Sequence, residues 1–235
     1  MVNIKVLIQR CPPLRKLRDL LLWMRGGSEN PEIWEGDRRW LREITYSRSS
    51  TNEKDWAQTG HRWVESWILP AIASYQKPSW HVLEIGCGPG RILVPMASRF
   101  DRVTGIDFSA DMVQYAKHRL QSYSNVDVIQ NDGATIPLPS ASIDFVYSVI
   151  AFQHMNLDTI TAYFREAYRV LRPGGVFRFQ TRRDVERRNV SLLDRYFLSK
   201  EEVDKLAVAH GFDIISYEQG LGHPTWHWFT LRKPR

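Results

Sequence analysis

The stretch Val82–Arg91, which reads VLEIGCGPGR, decides the fold of this chain. A short apolar run predicts a β-strand, three glycines follow at alternate positions, and a helical pattern begins after them. Gly86, Gly88 and Gly90 allow the backbone to turn tightly and to approach a ligand that a Cβ atom would exclude. The amides of such a turn, at a helix N-terminus, face an anionic or polar group of the ligand. Arg91 stands where a dinucleotide-binding G-x-G-x-x-G motif has its third glycine, which disfavours NAD and FAD.

From Trp80 onward, short β-rich runs alternate with helical patterns. This alternation predicts βαβ units, and therefore an α/β fold with a doubly wound, mostly parallel sheet covered by helices. Gly220, Gly222 and Pro224 separate the last two strands, so the final strand is expected to be antiparallel. Seven strands are predicted, at 81–85, 102–106, 126–130, 143–150, 176–181, 212–218 and 226–232.

Residues 1–78 are predicted to form an N-terminal helical cap over a main domain that spans 79–235. Within the cap, 12–25 has the pattern of a basic amphipathic helix, which docks on its own domain or, as the less favoured alternative, lies on an anionic membrane. A second helix is predicted at 55–72. Its tryptophans recur at near-helical spacing, which is more typical of a core stripe than of a substrate contact; they are Trp56, Trp63 and Trp67.

Composition sets the broad class of the protein. The 235 residues are 43% hydrophobic and 25% charged, as in an ordinary globular protein. No apolar run approaches the roughly 20 residues of a membrane span, and no secretory signal is recognisable at the start. Cys11 and Cys87 are too few for a disulfide framework, and no His or Cys spacing matches a metal site. We therefore expect a soluble, cytoplasmic protein without a metal. Its net charge of +6 is dispersed along the chain, so DNA is not an expected partner.

Two acidic residues follow neighbouring strands of the predicted sheet. Asp107 lies twenty-one residues after Gly86, at the edge of the sheet that carries the glycine turn. A carboxylate there can accept hydrogen bonds from both hydroxyls of a ribose. Asp132 follows the third strand and can accept a hydrogen bond from an adenine amino group. For each residue, capping of its own loop is the alternative interpretation.

Taken together, these segments resemble the class I S-adenosylmethionine-dependent methyltransferases. The similarity covers about residues 80–182 and includes four segments in the family's order: LEIGCGPG, VTGIDFSADMVQYAKHR, NDGATIPLPSASIDFVYS and VLRPGGVFRFQT. The chain departs from the family at Asn131 and Gly133, where glycine and alanine are usual. The resemblance implies S-adenosylmethionine as cofactor, S-adenosylhomocysteine as product and methyl transfer as the reaction.

The resemblance also implies a role for individual residues. Glu84 supports the amino end of the methionine moiety, and Ile150 offers its carbonyl to the same part of the cofactor. Asp107 holds the ribose, while Phe108 packs on the adenine ring; Met112 lies beneath the ring or belongs to the helix core. Cys87 packs as a small apolar residue in the turn. The implied cofactor-binding set is Glu84, Gly86, Cys87, Gly88, Gly90, Asp107, Phe108, Met112, Asp132, Gly133 and Ile150.

The acceptor side is predicted to lie just after the fourth strand, where the family usually faces its substrate. His154 is the candidate general base for an acceptor that must lose a proton, and a hydrogen-bonded His at a helix start is the alternative. Gln153 is a second catalytic candidate, which would orient the acceptor. The N/D-P-P-Y type segment of enzymes that methylate base or amide nitrogen is absent here.

We expect the partner to be a small-molecule acceptor with an oxygen or nitrogen nucleophile. Arginines cluster in and after the fifth strand and form either a solvated face or a site for an anionic group of the acceptor; they are Arg178, Arg182, Arg183, Arg187 and Arg188. An RNA or protein acceptor, which the basic charge favours, is an alternative. A non-catalytic module that binds S-adenosylmethionine is another.

Overall fold

The computed structural model describes residues 53–182 and 197–235, and a seven-stranded sheet forms its centre. The strand order is β3-β2-β1-β4-β5-β7-β6, and only β7 runs antiparallel to its neighbours. Both the seven strands and the antiparallel last strand are confirmed. The strands are β1 (His81–Ile85), β2 (Arg102–Asp107), β3 (Val126–Gln130), β4 (Ile143–Ser148), β5 (Leu171–Arg182), β6 (Asp213–Gln219) and β7 (Trp226–Arg232).

Five α-helices accompany these strands in the described ranges: α1 (Glu53–Trp63), α2 (Leu93–Ala97), α3 (Ala110–Arg119), α4 (Leu157–Val170) and α5 (Lys200–Ala209). A 3-10 turn, Phe152–His154, precedes α4. Side chains that accept backbone N–H groups set the starts of the last three helices. Ser109 caps α3, Asn156 caps α4, and Ser199 forms a capping box with Glu202 at α5. None of the described helices is long and apolar enough to cross a membrane.

The predicted helix at 55–72 is not a continuous α-helix. After α1 the chain widens into a π-helical segment, Val64–Ile68, and then tightens into a 3-10 turn, Leu69–Ile72. Pro70 explains the change at this point, because it lacks the backbone N–H that an α-helix requires. The predicted helix at 12–25 and the side chain of Trp56 lie outside the described part of the chain.

The sheet buries one apolar core on each face, as a doubly wound fold requires. The first core contains Trp63, Ile68 and Ile72 together with side chains from α2 and α3. The second core contains side chains from α4 and α5. The described end of the N-terminal zone therefore packs directly against the sheet, while the domain boundary at residue 78 stays a prediction.

Arg178 departs from both interpretations of the arginine cluster. Its side chain is only 1% exposed and forms an ion pair with Glu218 at 2.8 Å. It also donates to the Trp67 carbonyl at 2.8 Å and to Thr230 Oγ1 at 2.7 Å. Arg178 is thus neither part of a solvated face nor a site for the acceptor; it ties the N-terminal segment to β6 and β7. Arg183, Arg187 and Arg188 lie outside the described residues.

We predict that His81 makes folding sensitive to acid. Its buried imidazole, 2.8 Å from Thr104 Oγ1, has a pKa lowered from 6.5 to about 4, chiefly by burial. Because the unfolded chain takes up the proton first, the contribution of His81 to stability is present above pH 6.5 and is lost as pH falls towards about 4. Urea unfolding across this window should show a weaker pH dependence in His81→Gln. The same change at exposed His118 is the control, and equal slopes for wild type and His81→Gln would contradict the prediction.

Candidate cofactor and acceptor site

A cavity of about 400 Å³ opens at the carboxyl edge of the sheet. It lies where the chain leaves β1, β2, β3 and β4, and residues of α1, α3 and α4 also line it. Strand order reverses between β1 and β4, and ligands of open α/β sheets bind outside such a switch point. Among the predicted site residues, only Gln153 and Gly90 do not line this cavity.

The glycine turn needs glycine for a different reason at each position. Gly86 has φ +72°, and a Cβ there would lie 2.4 Å from the Ala151 Cβ. Gly88 has φ +51° and borders open space, since no atom lies within 4 Å of the Cβ position. Gly90 has φ +84° and packs 2.8 Å from Leu120 Cδ1, so it docks the turn on α3. Gly88 therefore provides the surface that a ligand can approach, whereas Gly90 has a packing role.

Asp107 links the ends of β1 and β2. Its buried carboxylate accepts the Gly88 N–H at 2.8 Å and the Ser109 N–H at 3.0 Å, one on each oxygen. Burial raises the pKa of this carboxyl group above its usual value. The Phe108 N–H is a third backbone donor to this carboxylate, and a lone pair remains for a hydrogen bond from a ligand. The side chain thus caps its own loop and also faces the cavity.

Asp132 is mainly engaged within its own loop. One carboxylate oxygen accepts the N–H groups of Ala134 and Thr135 at 2.9 and 2.6 Å, and the other accepts the Thr135 hydroxyl at 2.8 Å. These hydrogen bonds lower the pKa of Asp132. Asp132 and Gly133 still lie on the cavity wall, so an adenine contact here stays a prediction.

Glu84 lies at the inner end of the cavity and is 2% exposed. Burial raises its pKa well above the usual value, and the Tyr147 hydroxyl donates to it at 3.3 Å. Arg91 supplies a nearby positive charge, and its guanidinium lies 4.0 Å from the centre of the Trp63 ring. Burial lowers the pKa of Arg91 to about 10, within a range that leaves it charged at neutral pH.

Arg91 and Trp63 are site residues that sequence reasoning missed. Arg91 stood out only as the departure from the dinucleotide motif, and Trp63 only as one member of an aromatic stripe. Both line the cavity. A Cβ on Gly60 would lie 2.3 Å from the Arg91 carbonyl oxygen, which shows how closely α1 packs on the turn.

Cys87 is an inert thiol in this arrangement. Burial raises its pKa well above the usual value, and the thiol donates to the Gly88 carbonyl at 3.6 Å. It packs over Gly105, where a Cβ would lie 2.8 Å from the sulfur. Gly105 is a further requirement of the site, because a side chain at this position would displace the turn.

The loop after β4 forms the wall opposite the glycine turn. Ile150 has φ +66°, which is rare for a β-branched residue, and its N–H donates to the Gln180 side-chain oxygen at 2.9 Å. His154 lines the cavity, as do Met155, which precedes α4, and Thr159 and Tyr163 within α4. The last three were missed; for Thr159 and Tyr163 the reason is that a helix pattern does not indicate which turn meets a cavity.

Gln153 requires a correction. The sequence suggested that its amide orients the acceptor directly, but it is buried and does not line the cavity. Its neighbours are Gln180, whose Nε2 lies 3.5 Å from the Gln153 oxygen, and His154, whose Nε2 lies 3.4 Å from the Gln153 nitrogen. No cluster of His, Cys, Asp or Glu suited to a metal ion occurs within residues 53–182 and 197–235.

The sheet order, the glycine turn and the strand-end acids together define the class I methyltransferase fold. Residues 82–175 match the model of a family described as "Methyltransferase domain". This part of the chain is a methyltransferase domain of the S-adenosylmethionine-dependent kind, and S-adenosylmethionine is its cofactor.

Curated relatives match the same part of the chain. Malonyl-acyl-carrier-protein O-methyltransferase of Enterobacter lignolyticus is 41% identical over 100 residues, which are 43% of this chain and 38% of that protein. Demethylmenaquinone methyltransferase of Listeria welshimeri is 33% identical over 100 residues, which are 40% of this chain and 42% of that protein. The chain thus spans about two fifths of the length of these relatives.

Solved structures resemble a larger part of the chain. A SAM-dependent methyltransferase from Aquifex aeolicus has a TM-score of 0.62 at 16% identity, covering 84% of this chain and 99% of that one. A 4+2 cyclase, SpnF, has a TM-score of 0.68 at 17% identity, and the likeness covers 88% of this chain and 97% of that one. At these identities the likeness establishes the fold.

We predict that Asp107→Ala weakens binding of S-adenosylmethionine by about 100-fold. The change removes a carboxylate that accepts from the ribose and also holds the Gly88 amide of the turn, at about 1.5 kcal/mol or more for each charged hydrogen bond. Isothermal titration calorimetry measures the loss. Asp101→Ala is the matched control, since exposed Asp101 precedes β2 at the opposite edge of the sheet. Equal affinities of the two variants for S-adenosylmethionine would show that Asp107 does not bind the ribose.

We further predict that Gly60→Ala destabilises the protein by about 1–3 kcal/mol, because the new methyl group overlaps the backbone of the glycine turn. An alanine without such a contact would stabilise a helix interior by about 1 kcal/mol, so the sign of the change is diagnostic. Urea unfolding gives the free energy. Gln58→Ala, an exposed site on the same helix, should change it by less than about 0.5 kcal/mol.

Proposed function

We propose that this protein is an enzyme that transfers the methyl group of S-adenosylmethionine to an oxygen or nitrogen nucleophile of a small-molecule acceptor. One observation carries the proposal: a single cavity is bounded by the glycine turn, by Asp107 and Glu84, and by His154 on the opposite wall. The first three features bind the cofactor, and the last faces the position of an acceptor.

The cavity fits the cofactor in both size and chemistry. Its volume of about 400 Å³ lies within the range of small-molecule sites. Open space over Gly88 leaves room for the ligand backbone, and Asp107 has acceptor capacity for the ribose. Glu84 supplies a carboxylate for the ammonium group at the inner end. The carbonyl of Ile150, turned by its positive φ, offers a second acceptor for that group.

The cofactor supplies an electrophilic methyl group on a positively charged sulfur. The protein therefore has to align the nucleophile and exclude water, and it gains most of its rate from that orientation. The wall nearest the expected methyl group is mostly apolar, with Val149, Ala151 and Met155 beside His154. The imidazole is one polar group of the cavity that can contact an acceptor, either to orient it or to remove its proton.

Several observations bear on the acceptor. The relatives are named for methylation of malonyl-acyl-carrier protein and of demethylmenaquinone, which supports a metabolic acceptor. The positive net charge supports an anionic group on it. The likeness to the cyclase SpnF favours a second candidate, catalysis in the same cavity without methyl transfer.

Radiolabelled methyl from S-adenosylmethionine, offered to a fractionated extract of the source cells, tests the proposal. Wild type and Asp107→Ala are run side by side. Label in low-mass compounds that disappears with the variant supports a small-molecule acceptor. Label in a protease- or RNase-sensitive fraction would replace it with a protein or RNA acceptor. If no label is transferred although the protein binds the cofactor, two candidates are favoured: a non-catalytic module that binds S-adenosylmethionine, and catalysis in the same cavity without methyl transfer.

We predict that His154→Ala lowers the rate of methyl transfer and leaves the affinity for S-adenosylmethionine unchanged. The loss is about 10-fold if the imidazole only donates a hydrogen bond to the acceptor, and about 10²–10⁴-fold if it removes a proton. Steady-state kinetics with the labelled acceptor fraction measures it. His118→Ala, on the exposed face of α3, is the control. An unchanged rate would exclude His154 from the acceptor site.

A further inference from the structure

Tyr163 lines the cavity from the middle of α4, and its hydroxyl group is bonded to the loop that follows β3. The Asn131 side-chain nitrogen donates to the Tyr163 hydroxyl oxygen and to the Thr135 carbonyl oxygen, at 2.9 Å in each case. Asn131 is one of the two positions after β3 at which the sequence departs from the family. The structure gives this asparagine a specific contact, because it joins the loop to a tyrosine of the cavity wall.

A second contact between α4 and the same loop fixes their relative position. The Glu166 carboxylate, which is 8% exposed, accepts the Ile136 N–H at 3.0 Å. Arg169 donates to the Ile136 carbonyl at 2.8 Å and forms an ion pair with Glu166 at 2.7 Å. Asp132 belongs to this loop and lines the cavity. The helix that carries Tyr163 is therefore tied to the wall at which adenine is expected.

The Thr135 carbonyl determines the direction of the hydrogen bonds around Tyr163. A carbonyl oxygen can only accept, so Asn131 must present its NH₂ group to Thr135, and the same nitrogen then faces the Tyr163 oxygen. The opposite orientation of the amide would place two acceptor oxygens face to face. The Tyr163 oxygen is thus an acceptor towards Asn131, and its own proton must point in another direction. No group within residues 53–182 and 197–235 accepts that proton.

The hydroxyl keeps its proton at neutral pH and lies near the acids of the cavity. Burial, assisted by the charges of Asp107 and Asp132, raises the pKa of Tyr163 above its usual value. These two carboxylates line the cavity where the ribose and the adenine are expected. A ligand in the cavity therefore meets a buried O–H donor whose orientation is already set by the protein.

We propose that the Tyr163 hydroxyl donates a hydrogen bond to a ring nitrogen of the adenine, and that Asn131 is the positioning residue that directs this proton to the cofactor. The ring nitrogens N1, N3 and N7 of adenine can only accept, so they match this donor. A purine that carries a hydrogen on the nitrogen facing Tyr163 would bring two donors together, and the site would reject it. The inference concerns the cofactor and does not depend on the identity of the methyl acceptor.

Binding of S-adenosylhomocysteine, measured by isothermal titration calorimetry, tests the contact without any methyl transfer. We expect Tyr163→Phe, which keeps the aromatic ring, to weaken binding about 3- to 10-fold, as for the loss of one neutral hydrogen bond. Tyr168→Phe is the matched control, because Tyr168 lies on the same helix and does not line the cavity. An unchanged affinity in Tyr163→Phe, or an equal loss in both variants, would overturn the proposal.

Analogues of S-adenosylhomocysteine identify the acceptor atom. The 1-deaza, 3-deaza and 7-deaza compounds each replace one ring nitrogen by C–H. With one of them, wild type and Tyr163→Phe should bind equally well, because the partner of the hydroxyl is already missing. With the other two, the variant should keep its full 3- to 10-fold deficit. A full deficit with all three analogues would show that the hydroxyl does not contact the ring, whether or not the protein transfers methyl groups.

Asn131→Asp tests the positioning role. A carboxylate oxygen in place of the NH₂ group accepts the Tyr163 proton and turns it away from the cofactor. Adding Tyr163→Phe to Asn131→Asp should therefore cost less than about 2-fold in affinity for S-adenosylhomocysteine. The comparison is made within one background, so the effect of the added charge cancels. A full 3- to 10-fold loss in that background would show that Asn131 does not direct the hydroxyl.

Discussion

The hydrogen bond from the Gly88 amide to the Asp107 carboxylate joins the two strand ends on which the site depends. Parallel pairing of β1 with β2 brings these ends to the same edge, and Gly86 and Cys87 reinforce the junction by donating to the Ile106 carbonyl at 2.9 and 3.0 Å. The glycine turn is therefore held from the neighbouring strand rather than by its own helix, since α2 is short. A carboxylate in this place shapes the turn and also faces the cavity.

The N-terminal segment is attached to this framework by interactions that reach across the sheet. Arg178 in β5 binds the Trp67 carbonyl and Glu218 together, and its guanidinium lies 4.8 Å from the centre of the Trp228 ring. Trp63 and Trp67 pack with Trp226 in the same aromatic cluster. Because Arg91 stacks on Trp63, the position of this part of the cavity wall depends on contacts made far from the cavity.

Sequence patterns were sufficient to predict the local structure wherever a short-range rule fixes the residue type. The positive φ of Gly86 and Gly88 and the capping serines follow from short-range sterics and hydrogen bonding, so spacing alone predicts them. The requirement for glycine at position 105 could not be recognised in this way. It arises only because Cys87 folds over this position and leaves no room for a Cβ atom. The same holds for Arg178, which has the composition of a surface residue but is paired and buried by strands that are distant in sequence.

The loop after β4 contains a backbone conformation that its residue type rarely adopts. Ile150 adopts a conformation that costs about 1–3 kcal/mol for a residue other than glycine, and the side chain of Gln180 compensates by accepting its N–H. A glycine would remove the strain, but it would also free the loop that places Ala151 over Gly86 and His154 on the cavity wall. Related folds carry out different reactions, as the cyclase resemblance illustrates, so chemistry must be specified by loops of this kind rather than by the sheet. A single buried amide therefore stabilises the strained backbone beside the glycine turn from a strand that is distant in sequence.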